Sequence, residues 1–257
     1  MLVRISSNIW MRGFYPIFRK ELVRKFGNKC WVSPLVVWMS ISAVPTISLV
    51  TAGASSLSAN QGIALLSLFL WLGTFPMSIG TVVISQGTII EEKLTQTLLW
   101  IYSKPLSASA FILGKFAAYA IFIAVIILGA PAIAIGITAV IFGISLNSLL
   151  GYLFSIAIIY LLLLFILALT LMLGTFFQKI SSVTGIAFIV YISGASLSTN
   201  EYLKQIEPYS FAALQSYAVE AAAGKFQIQA LIAILITLLF ILMFLFVASW
   251  QMERYEF

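Results

Sequence analysis

The 257-residue chain is 62% hydrophobic and only 9% charged, with a mean hydropathy of +1.10. Soluble domains carry about 25% charged residues, so this composition excludes a globular cytoplasmic protein. With no His and no Asp among its residues, the chain lacks the groups for Ser-His-Asp catalysis or a metal cluster, and no catalytic residue, cofactor site or metal site is expected in it.

Residues 9–28, IWMRGFYPIFRKELVRKFGN, alternate aromatics and bases at helical spacing. Trp10, Phe14, Ile17, Phe18, Leu22 and Phe26 form an apolar face and Arg19, Lys20, Arg24 and Lys25 a basic one. That pattern predicts an amphipathic helix in the membrane interface, in contact with lipid headgroups; a basic tail held by anionic lipid is the plainer alternative. No continuous apolar core marks a cleavable signal peptide in this region. Six windows then approach or exceed the roughly 20 apolar residues that cross a bilayer: 33–53, 62–85, 114–141, 149–174, 181–199 and 228–250. Apart from Lys115 at the start of the third, none carries a charge. The expectation is an all-α integral membrane protein, a single transmembrane domain over 1–257 with six transmembrane helices. Pro45 predicts a kink in the first span, and Gly129-Ala130-Pro131 a tilt or break in the third. Between the last two spans, Ser210 to Ala223 reads as a short helix ending at Gly224, which either covers a pathway or closes the fold.

The net charge of +6 is distributed as a membrane topology would distribute it, and no nucleic-acid partner is expected. Seven bases precede the first span, Lys93, Lys104 and Lys115 lie between spans two and three, and Lys179 and Arg254 follow spans four and six. Only Lys204 and Lys225 fall on the other side. Bases stay on the cytoplasmic side, which puts both termini in the cytoplasm of a multi-pass cell-membrane protein. All eight acids lie outside the spans, which disfavours an ion-coupled carrier.

The longest polar interruption is Gly87 to Lys115, with Glu91, Glu92 and Lys93 adjacent. Ile89–Ile101 predicts a helix of three to four turns with Leu94, Leu98 and Ile101 on one face. The two Glu residues sit at its start, where the helix dipole favours them. Pro105 stops it, Leu106-Ser107 turns the chain, and Ser107 is placed to N-cap the next helix. Gly114-Lys115 and Gly224-Lys225 lack the upstream Gly and following hydroxyl of a phosphate-binding loop, so ATP would need another subunit. From these residues alone, a docking element and an ordinary cytoplasmic loop are equally supported.

The same stretch resembles the signature region of ABC-2 type transporter permeases. Thr97-Leu98, Pro105-Leu106-Ser107, Gly114-Lys115 and the upstream acid Glu92 match that pattern, and Gln96 and Leu99 depart from it. Lys20-Glu21-Leu22 is similar to the Lys-Glu-Leu of the interfacial helix that opens such permeases, in which Arg19 and Arg24 also lie. The resemblance implies a transport subunit, not itself an enzyme. Its loop, with Glu91, Glu92, Lys93, Thr97, Leu98, Ile101, Pro105, Leu106 and Ser107, would contact a nucleotide-binding ATPase subunit that holds ATP and Mg. It also implies a second permease copy, identical or similar. The alternative is a membrane anchor or assembly factor that recruits a cytoplasmic partner without transport. Uncharged spans predict an apolar or amphipathic substrate, with Phe69, Trp71, Phe75, Tyr160 and Thr170 as candidate contacts.

Overall fold

The computed structural model describes residues 13–29, 31–51, 59–95, 107–196 and 205–254. Among the described residues there is helix and no strand, because long apolar segments in lipid must satisfy their backbone groups internally. The helices are α1 (Phe14–Phe26), α2 (Val32–Thr51), α3 (Ala59–Ser85), α4 (Ile90–Leu94), α5 (Ala108–Phe122), α6 (Ala130–Ile141), α7 (Leu146–Phe176), α8 (Ile180–Ala195), α9 (Ala213–Ala222) and α10 (Ile228–Glu253). A π-helical segment, Ile123–Gly129, joins α5 to α6.

Among the described residues, four stretches are long and apolar enough to cross a membrane: Asn60–Leu94, Ala108–Ile141, Leu146–Phe176 and Ile228–Glu253. The expected first and fifth spans are apolar helices too, shorter over their described residues, Val32–Ser48 and Ile180–Gly194. An all-α, multi-pass membrane architecture therefore agrees with the structure at this coarser level. The third apolar helix begins at Ala108, six residues before the expected 114. Ser107, extended at ψ 144°, accepts a hydrogen bond from the Ala110 amide at 3.2 Å and caps it as expected. Its expected break near Pro131 is instead the π segment. Proline cannot donate to the i−4 carbonyl and collides with it in a regular helix, and a π turn absorbs both defects without interrupting the rod.

Helix α7 is the axis of the molecule, packed by α3, α8, α9 and α10 and buried over most of its length. Between helices immersed in lipid, close packing replaces the hydrophobic effect, so small residues mark the tightest crossings. At Gly151 of α7 an added Cβ would lie 2.4 Å from the Ala221 carbonyl oxygen of α9. Helix α9 buries Ala213, Leu214, Tyr217, Ala218, Ala221 and Ala222, closing the fold against α7 and α3. Its expected stop is present: Gly224 has φ +77°, and the Lys225 amide donates to the Glu220 carbonyl at 2.9 Å.

Helix α1 lies across α5. Its described part starts at Phe14, and expected residues 9–12 lie outside the described residues. Ile17 and Glu21, one turn apart, are buried, while Arg19, Lys20 and Arg24 are exposed. Ile17 thus faces protein rather than lipid, because α5 occupies that side. Gly114 makes the approach possible: a Cβ there would sit 3.1 Å from Ile17 and 3.3 Å from the Phe14 carbonyl oxygen.

Candidate functional site

Helix α4 covers only Ile90–Leu94, so the described part of the expected Ile89–Ile101 helix is short. Thr97, Leu98, Ile101, Pro105 and Leu106 lie outside the described residues. What the structure shows of the polar loop is an ion cluster that joins α1, α4 and α5.

Its centre is Lys115, with a fully buried side chain. The ammonium lies 2.7 Å from Glu21 Oε1 and 3.2 Å from Glu92 Oε2, and it donates to the Thr88 carbonyl at 3.1 Å. The Phe111 ring lies beneath it, 5.0 Å to the centroid. The Glu21 side chain is 0% exposed and that of Glu92 7%. One buried cation therefore faces two buried carboxylates, and Lys20 restores neutrality from the rim, its Nζ donating to Glu92 Oε1 at 3.0 Å. Burial without such pairing would cost several kcal/mol per ion, roughly.

Around this centre the other charges tie further elements together. Arg24 donates to Glu91 Oε2 at 2.9 Å with both side chains half exposed. The hydrogen bond that Arg24 donates to Glu91 holds the guanidinium's pKa above its ordinary value, against the opposing effect of partial burial. Lys25 lies 4.5 Å over the Tyr119 ring and reaches the Ile84 carbonyl at 3.5 Å. Burial is the main cause of its lowered pKa, and neighbouring Arg24 adds to it. Lys93 donates to the Thr175 carbonyl at 2.6 Å. This places a cation on the last turn of α7, where the helix carries its negative end.

Of the residues singled out from the sequence, Glu91, Lys20 and Arg24 are on the rim of this cluster, Arg19 is exposed beside it, and Glu21, Glu92 and Lys93 turn inward. The outward position of the Glu92 carboxylate implied by a solvated loop is replaced by an internal one, because Lys115 sits on the adjoining helix and needs an anion. Leu94 is the large apolar side chain that α4 leaves out, at 69% exposed. Lys115 and Glu21 are 94 positions apart in the sequence, and their pairing was not read from it. The one available signal was a lone Lys at the head of an otherwise uncharged span.

A second feature lies away from the cluster. Trp71 and Phe75 of α3, Tyr191 of α8 and Phe211 and Gln215 by α9 line a cleft of about 630 Å³. Trp71 and Phe75 are 63% and 51% exposed. The other candidate contacts are engaged elsewhere: Phe69 and Thr170 are buried in packing, Thr170 donates to the Ile166 carbonyl, and the Tyr160 hydroxyl donates to the Ala120 carbonyl at 3.2 Å. No grouping of three or more metal-binding side chains occurs among the described residues.

No family model fits the chain, and no curated protein aligns with it significantly.

Proposed function

We propose that the chain is a transmembrane permease subunit of the ABC-2 type, exporting an apolar or amphipathic molecule with ATP hydrolysed by a separate nucleotide-binding subunit. Six spans, cytoplasmic termini and residence in the cell membrane belong to this reading. A six-span chain is half of such a transporter, so a second permease copy completes it.

The observation that carries the reading is the ion cluster at the foot of the third apolar helix. Energy that enters through a water-facing loop must reach the spans through something stiff. Here α4 is fastened to α5 through Glu92 and Lys115, to α1 through Lys20 and Arg24, and to the end of α7 through Lys93. A push on α4 would reach three helices at once. Leu94, exposed at the end of α4, is an apolar side chain that would gain from burial against a partner. The sequence Thr97-Leu98 and Pro105-Leu106-Ser107 after it resembles the family's docking segment, with Gln96 and Leu99 departing from it.

The test is affinity capture of the tagged chain in detergent, with the captured proteins identified by mass spectrometry. An ATPase subunit is expected, and Leu94→Asp is expected to lose it while the variant elutes as the parent does in size exclusion. Capture of a non-ATPase partner instead, unaffected by Leu94→Asp, would establish the anchor reading and overturn this one.

A further inference from the structure

Among the described residues, aromatic rings and a single carboxylate share the cleft on α3. Trp71 and Phe75 present exposed rings from α3, and Tyr191 faces Phe75 with ring centroids 6.0 Å apart. Phe211 closes the inner wall, its ring stacked at 4.5 Å on Phe165 of α7. Gln215 donates to the Trp71 carbonyl at 2.8 Å and holds the α9 side of the cleft to α3. The volume, about 630 Å³, falls within the range of roughly 300–1,000 Å³ that accommodates a drug-sized ligand.

Glu207 also lines this cleft. Its backbone is fixed in a short 3₁₀ turn, Glu207–Tyr209, whose Pro208 carbonyl accepts the Tyr217 hydroxyl at 2.9 Å and whose Glu207 carbonyl accepts Ser210 Oγ at 2.8 Å. Among the described residues, no Lys or Arg lines the cleft and the Glu207 carboxylate has no ion-pair partner. A half-buried anion beside several ring faces attracts a cation that is itself poorly hydrated, because ring quadrupoles and the carboxylate act together and little hydration is lost. A small hydrated ion such as sodium would forfeit its water for rings that cannot replace it.

We propose that this cleft binds a lipophilic organic cation, with Glu207 as its counter-ion and Trp71, Phe75 and Tyr191 as its aromatic wall. The cleft sits well away from the ion cluster. Trp71 is fourteen residues from Ser85, or about 21 Å along α3. The substrate class rests on the export reading, but binding is measured without ATP or a second subunit, so the two can fail separately.

The experiment is equilibrium binding of radiolabelled tetraphenylphosphonium to the full chain purified in a neutral detergent. Tetraphenylborate, its isosteric anion, serves as the shape control. Saturable phosphonium binding is expected, with the borate bound at least tenfold more weakly. Glu207→Gln should weaken phosphonium binding at least tenfold and narrow the gap between the two ions. Trp71→Leu, at an exposed position, should weaken phosphonium binding severalfold with the elution profile unchanged. Equal binding of both ions, or phosphonium binding unaffected by both variants, would overturn the assignment. So would phosphonium uptake no greater than that of empty micelles.

Discussion

Replacing Lys115 with Met removes the ammonium from between two carboxylates while keeping most of the side chain's volume. In the parent, Lys115 Nζ lies within 3.2 Å of Glu21, Glu92 and the Thr88 carbonyl, in a site where the Glu21 side chain is fully buried. After the change Glu21 has lost its 2.7 Å ion pair, while Glu92 keeps Lys20, 55% exposed. Breaking a buried pair from one side costs about 3–5 kcal/mol, chiefly because the remaining charge stays buried. Removing all three charges, in the triple variant Lys115→Met, Glu21→Gln, Glu92→Gln, is expected to restore stability to within about 1–2 kcal/mol of the parent, since neutral groups of similar volume carry no such penalty. Arg24→Ala breaks a half-exposed pair and should cost only about 0–1 kcal/mol. The assay is unfolding by SDS titration from mixed micelles, followed by tryptophan fluorescence. The reasoning is refuted if Lys115→Met costs less than about 1 kcal/mol, or if the triple variant is no more stable than the single one.

Three further outcomes are checked on the same preparation. Gly151→Ala places a Cβ 2.4 Å from the Ala221 carbonyl oxygen, and should cost about 1–3 kcal/mol by forcing α7 and α9 apart. Gly185→Ala meets nothing within 4 Å and should be neutral or stabilise by up to about 1 kcal/mol. Lys25→Met should lie within about 1 kcal/mol of the parent, since it exchanges a cation–ring contact for relief of a desolvated charge. Because the Lys25 pKa is lowered from 10.5 in the fold, the unfolded chain binds that proton more tightly. The parent should therefore gain stability relative to Lys25→Met as pH rises toward 10.5. Titrations at neutral and alkaline pH measure this, and a parent that loses ground with rising pH would contradict the sign.

The apolar helices were legible because hydrophobic length alone specifies them. A charge-free run of 20 or more apolar residues has no soluble alternative, and lipid leaves it only the helix. Local chemistry also fixed Ser107 as an N-cap and Gly224 as a helix stop, since both act on amides and carbonyls within a few residues. The π segment before Pro131 was legible only as a defect of unspecified form, because relief of a proline clash depends on how neighbouring helices hold the rod. The face of α1 was misread for a related reason. Periodicity marks Ile17 as apolar without saying whether lipid or α5 covers it, and Gly114 is the residue that admits α5.

By itself, then, the sequence determined the composition of the polar loop and the helical nature of what flanks it. Only the tertiary structure decided which of those charges meet. Glu21, Glu92 and Lys115 lie on three helices, and hydropathy scores each as an isolated polar residue. A buried charge is tolerable only where packing delivers its partner, and which partner arrives is set by the crossing of α1 over α5. The same holds for the cleft: Trp71 and Glu207 become neighbours because α9 folds back against α3, a contact that no local pattern encodes.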